Sequence, residues 1–288
     1  RVSLDDYRAN LRTIVKKCRD ISAEVVLATP NNVINTSSRP TDKLVKYCDV
    51  VREVAQEAGV PICDTYQQLS GVRANDPFDW RLLMSDSIHP NMAGHKSIAE
   101  RLAQTITGSK VSLANVPPLQ SALQRTLARI KDNKPVRVLA MAPYDSMIKS
   151  VLQSRSDDVQ VEVTPWLVDG MSLSEIEQDA KKRVRALKPD LVLIAMPRSA
   201  SANTDEAFAG SFAWTMNWSL NFGPPTWDCV VVHPSVAESS GESQPRDELV
   251  RRLVKAQDLS LIDRVAGTSE TSEAIVAEWF AGQLKTAS

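Results

Sequence analysis

A three-layer α/β/α fold built on a doubly wound parallel sheet is what this sequence predicts, and three observations predict it. Short β-branched apolar runs recur along the chain, amphipathic helical patterns separate them, and the alternation occurs twice, on either side of a basic Pro-containing stretch. Strands separated by helices imply right-handed crossovers, and continuous rather than alternating apolar runs imply burial on both faces.

The elements follow in order. Leu4, Leu11, Ile14 and Val15 have helical spacing, and the chain runs into this pattern almost from Arg1. Residues 24–30 (EVVLATP) form a short strand stopped by Pro30. Leu44 to Ala58 is helical, with Gly59 placed as its C-cap. Residues 60–66 (VPICDTY) are a second strand, with Cys63 a small core residue. Pro90 to Ile106 is a helix with Pro in its first turn and apolar Ile98, Leu102 and Ile106 on one face. Residues 109–135 carry five basic groups and one acidic, contain Pro117-Pro118, and end in a helical pattern through Leu119, Leu123, Leu127 and Ile130. They read as a linker with a connecting helix. Five strands are then expected at 136–142, 158–163, 190–196, 228–232 and 259–263, with a charged amphipathic helix over 173–187. Residues 136–288 thus hold a whole small domain, whereas residues 1–108 hold only the last two strands of one.

Composition removes several function classes. The 288 residues carry 34 basic and 35 acidic groups, so there is no basic footprint for nucleic acid. No apolar run approaches the roughly 18 residues that span a bilayer, and no signal peptide is visible. The 10 glycines form neither G-x-G-x-x-G nor a P-loop. The four cysteines (18, 48, 63 and 229) include no C-x-x-C, which implies neither a zinc ribbon nor a disulfide framework.

The sharpest chemical feature is residues 85–95, SDSIHPNMAGH. A carboxylate at Asp86 and an imidazole at His89, three residues apart in a loop entering a helix, can meet through the ring nitrogen nearer the backbone. The other nitrogen is then free to act as a general base, with the carboxylate fixing the tautomer. His95, one turn or more further on, is expected to face solvent, and it makes no metal-binding spacing with His89. His233 is expected in a loop. Trp214, Trp218 and Trp227 are expected to pack over a core beneath a long loop rather than to stack on sugars. The run Lys181-Lys182-Arg183, with Arg185 and Lys188, follows Glu175, Glu177 and Asp179, the order of a solvated helix face.

Residues 86–94 (DSIHPNMAG) resemble the terminal D-x-x-H-P block of the SGNH hydrolases, the GDSL-type esterases and lipases. The helix from Ser3, the strand ending at Pro30 and the strand ending at Asp64 are similar to the same family, so the resemblance covers about residues 1–107. It implies a flavodoxin-like sheet, a serine ester hydrolase acting on small-molecule or carbohydrate esters, Asp86 as the orienting acid and His89 as the base, with no cofactor or metal. The family's G-D-S nucleophile block and its oxyanion-hole Gly and Asn blocks have no match in residues 1–107. The resemblance therefore implies an N-terminally incomplete first copy, with the strand at 25–29 left as a sheet edge. Residues 136–288 resemble a diverged second copy. Asp145-Ser146 falls at the D-S position with Tyr144 in place of Gly, Gly170 at the Gly block, and residues 196–199 (MPRS) where the Asn block belongs. No D-x-x-H closes this copy, which makes it a degenerate domain. A second arrangement has Ser146 complete the site with Asp86 and His89, and a third reading is a glycan- or protein-binding module on a hydrolase scaffold.

Overall fold

The computed structural model describes residues 2–118, 121–154, 158–220, 226–237, 244–265 and 267–285, and the chain divides into two compact units between Val116 and Pro117. The first unit begins with α1 (Leu4–Asp20), whose N-terminus is capped by the Ser3 hydroxyl accepting from the Asp6 N–H. There follow β1 (Leu27–Ala28), α2 (Thr41–Ala58), β2 (Ile62–Cys63), α3 (Thr65–Asn75), the short α4 (Pro77–Arg81) and α5 (Met92–Thr107). β1 and β2 pair in parallel, Leu27 opposite Ile62 and Ala28 opposite Cys63. No other strand pairs with β1 among the described residues, and Ala28 is exposed.

Two local expectations change on the structure. β2 is only two residues long, because Asp64 turns the chain into α3 by accepting the Gln67 N–H. α5 starts after Pro90, not at it, because Asn91 is the N-cap and its side chain accepts the Gly94 N–H. The apolar face of α5 is largely open, with Leu102 38% and Ile106 62% exposed and Ile98 packed against Leu69, Trp80 and Met84. The C-cap at Gly59 stands as the spacing predicts, in the left-handed region at φ 59°.

The second unit contains α6 (Gln124–Lys131), β3 (Val136–Met141), α7 (Ile148–Gln153), β4 (Val161–Trp166), α8 (Leu173–Leu187), β5 (Leu191–Ile194), α9 (Asp205–Ser219), β6 (Asp228–Val232), α10 (Asp247–Ala256), β7 (Ser260–Ile262) and α11 (Ser272–Lys285). All five strands are parallel, in the order β4-β3-β5-β6-β7. Counted within the unit this is 2-1-3-4-5, the flavodoxin-like doubly wound order. α8, α9 and α10 pack side by side as one layer, and α7 and α11 form the other. β5 and β6 are buried at every residue, as strands covered on both faces should be.

α6 closes the opposite, N-terminal end of the sheet. Its N-cap residue Leu123 offers no side-chain acceptor, and Asp228 at the start of β6 supplies one instead. The Asp228 carboxylate accepts the N–H of Arg125 (3.0 Å) and the N–H and hydroxyl of Thr126 (2.7 Å each). Next to it, the fully buried Asp190 accepts from the Arg137 backbone and guanidinium and from Arg125. Burial pushes its carboxyl up, but the Arg137 N–H and guanidinium, with the nearby Arg129 charge, outweigh it and hold the acid below the ordinary range. The expected long loop around the tryptophans is instead the helix α9. Trp214 and Trp218 stack at 5.2 Å, with Lys181 and Arg185 of α8 over the Trp218 ring. The segment at 221–225 lies outside the described residues.

Candidate active site

Asp86 and His89 stand in the loop between α4 and α5, and the two side chains meet as their spacing predicts. Asp86 Oδ2 lies 2.6 Å from His89 Nδ1, while Oδ1 accepts the backbone N–H groups of Ile88 and His89, both at 2.7 Å. One carboxylate thereby fixes both the loop's backbone and the ring it carries. The exposures of the pair diverge: the Asp86 side chain is 9% exposed, that of His89 67%. Burial pushes the Asp86 carboxyl up, but the hydrogen bonds from the His89 ring and the two N–H groups outweigh it and hold the acid below the ordinary carboxylate value. With Nδ1 donating to a carboxylate, a neutral ring presents Nε2 as an unprotonated acceptor toward solvent, the form a general base requires.

The loop is held from several directions. The Ser85 N–H donates to the His89 carbonyl (2.9 Å), closing the turn on itself. Arg81 donates to the carbonyls of Met84 and Asp86. The segment leaving β1 reaches it twice, through the Asn31 amide to the Ile88 carbonyl (3.0 Å) and the Ile34 N–H to the Ser87 carbonyl (2.8 Å). Asn32, buried beside it, accepts the Trp80 indole N–H at 2.7 Å, and Arg73 covers the Trp80 ring. The dyad thus hangs from the C-terminal end of β1, the edge at which open α/β sheets place ligands. On the helix side Gly94 is required by close approach: a Cβ there would overlap the Leu83 carbonyl oxygen and lie 2.8 Å from Pro90 Cβ. Asn31, Asn32, Trp80 and Arg81 escaped sequence reasoning. Asn31, Asn32 and Trp80 act across 48 to 57 residues, and only the Pro30-Asn31-Asn32 turn signal marks their neighbourhood.

The other residues singled out in the sequence stand as follows. His95 is exposed on α5, and among the described residues no cluster of His, Cys, Asp and Glu could hold a metal ion. Ser146 is exposed after β3, and its hydroxyl donates to the Pro143 carbonyl at 2.8 Å. His233, at the end of β6, is fully buried: Nε2 donates to the Asp247 carbonyl (3.1 Å) and Nδ1 faces the Ser235 hydroxyl (2.7 Å). The ring is therefore neutral and occupied at both nitrogens. Ser235 beside it is buried, so this serine–histidine contact locks loops rather than offering a nucleophile.

Residues 1–97 match the model of the GDSL-like Lipase/Acylhydrolase family. An acetylxylan esterase from Geobacillus stearothermophilus is 28% identical over 107 residues, 36% of this chain and 48% of the relative, so the chain spans about half the length of the curated relative it matches. A solved two-domain esterase active on acetylated mannans is similar at 11% identity and a TM-score of 0.41, over 58% of this chain and 54% of that one. No helix among the described residues is long and apolar enough to cross a membrane.

Proposed function

We propose that the first unit is the C-terminal part of a serine ester hydrolase that removes small acyl groups, acetyl esters of carbohydrate among them. The observation that carries this is the 2.6 Å contact of a buried Asp86 with an exposed His89, in a loop tied to the C-terminal end of a parallel strand. In this reading a serine and its oxyanion donors come from a segment N-terminal to residue 1. His89 Nε2 takes the proton of that serine as its oxygen attacks the ester carbonyl. Asp86 keeps the ring in the right tautomer and stabilises the imidazolium, which then protonates the departing alcohol. Water, deprotonated by the same nitrogen, cleaves the acyl-serine and regenerates the site. The second unit is a degenerate copy without an acyl-transfer site: among the described residues no histidine bonds to Ser146, and the one histidine it contains is buried with both nitrogens engaged.

The test joins this chain to the upstream coding sequence that carries a G-D-S block and measures hydrolysis of p-nitrophenyl acetate and acetylated xylan. His89→Ala should lower kcat/KM by about a thousandfold or more, and Asp86→Asn by a comparable factor, because the wrong tautomer is then favoured. Turnover that survives His89→Ala unchanged overturns the assignment, as does an upstream sequence without the block.

A further inference from the structure

The C-terminal edge of the second unit's sheet holds a cleft that the catalytic reading does not use. All five strands are parallel, so every loop that follows a strand gathers there. β3 and β5 are neighbours, yet the chain leaves β3 toward β4 on one side and β5 toward β6 on the other. The crevice at such a reversal is where open α/β sheets hold ligands. A cavity of about 340 Å³ lies there, walled by Pro143, Met196 and Pro234, and one of about 440 Å³ adjoins it, sharing Met196, Pro197, Arg198 and Pro234. Each has the size of a small-ligand site.

The polar groups of this cleft are fixed in place. Arg198 lines both cavities, and its guanidinium is held by Asp247 through contacts of 2.7 and 3.2 Å. Asp247 is 2% exposed and also accepts the Gln244 N–H at 2.9 Å. In the larger cavity Arg246 pairs with Asp205 at 2.8 Å. These two pairs give the cleft oriented donors and acceptors, and Asp169, which lines the smaller cavity, adds one negative charge. Only the Arg198–Asp247 pair is buried on its acid side, since Asp205 is 62% exposed. A buried ion pair contributes little to stability once desolvation is counted, so Arg198–Asp247 beside a cleft is better explained as a preorganised contact for a ligand.

The rim supplies a second, independent observation. Leu167, directly after β4, is 68% exposed, and Val265, after β7, is 72% exposed. β4 and β7 are the outermost strands, four spacings apart, so these apolar side chains stand at the two ends of an edge roughly 19 Å long. The loop that carries Val265 is held firmly: the neighbouring Arg264 is buried and donates to the carbonyls of Ser235, Val236 and Glu270.

We propose that this edge binds a neutral oligosaccharide chain without turning it over. Its hydroxyls meet the Arg198–Asp247 and Arg246–Asp205 pairs, and the C–H faces of its rings lie on the prolines, Leu167 and Val265. The chemistry narrows the choice. With Asp169 the cleft has one carboxylate more than it has cations, which repels an anion, and a hydrocarbon would leave the ion pairs without polar partners. A peptide adding to a sheet takes its main-chain hydrogen bonds along a strand's side, not across strand ends. The site is built from residues of the second unit alone and stands or falls apart from the esterase reading.

Isothermal titration calorimetry of this chain with xylohexaose, mannohexaose and cellohexaose tests the proposal. At least one hexaose should bind saturably. Arg198→Ala should weaken that binding at least about tenfold, the cost of losing hydrogen bonds to a charged group. Leu167→Asp and Val265→Asp, at exposed positions where the fold tolerates change, should each weaken it several-fold. Saturable binding to none of the three sugars overturns the proposal, and so does binding that all three variants leave unchanged. Saturation by inorganic phosphate or by an unstructured decapeptide in place of the sugars also overturns it.

Discussion

Two histidines show how surroundings decide what the same side chain does. His89 keeps an acid on Nδ1 and leaves Nε2 to solvent, whereas His233 is closed in and bonded at both nitrogens. Burial lowers the affinity of His233 for a proton, outweighing the Asp247 carbonyl and the Asp263 carboxylate, so its folded-state pKa lies below the ordinary value. The sign of the linkage follows. In the unfolded chain the ring protonates near pH 6.5, earlier than in the fold, so its contribution is complete above that pH and is lost as pH falls from there toward the folded value. The urea midpoint of the second unit should therefore drop between pH 7 and pH 5.5, and a His233→Asn variant should drop less over the same window. Equal slopes in the two proteins would show that the ring is not the group responsible.

At the scale of elements, the most instructive contact is the capping of α6 by a residue from β6. Leu123 cannot cap the helix itself, and Asp228 accepts three hydrogen bonds there while burial still pushes its carboxyl above the ordinary range. Asp228→Ala should cost about 2 kcal/mol or more in urea denaturation and should speed hydrogen exchange at the Arg125 and Thr126 amides before other amides of the unit. The sequence made the regular parts of this architecture legible. α8 falls at the expected 173–187, and the observed β3, β5 and β6 fall at or within their expected runs, because a buried parallel strand is a continuous apolar word and a surface helix a periodic one. α9 was illegible for the converse reason: it is buried along most of its length, so Phe208, Phe212 and Met216 are joined by Thr215, Asn217 and Ser219 inside and no polar face marks the period. The Asp86–His89 pair could be read because both residues lie within one turn of chain. The Asn31, Asn32 and Trp80 supports could not, since tertiary folding alone brings them together.

For the whole molecule, the two units should differ in stability. The second has a five-stranded sheet covered on both faces, whereas the first has two strands of two residues and two separate small cores, one around Val15, Val51 and Val54 and the other around Leu69, Trp80 and Met84. Two-stranded sheets are marginal without helix packing. In a urea titration followed by NMR, the indole N–H signal of Trp80 should vanish at lower denaturant than that of Trp166, which donates to Asp179 in the second unit. Loss of both at one concentration would mean the units unfold together. The carboxylate beneath α6 has a further consequence, one of timing. It lies 102 residues after Thr126, so a ribosome must add about a hundred more amino acids before the helix start gains its acceptor. On the nascent chain that turn stays frayed while β3, β4 and β5 are being made, and the floor of the sheet is sealed only once β6 emerges.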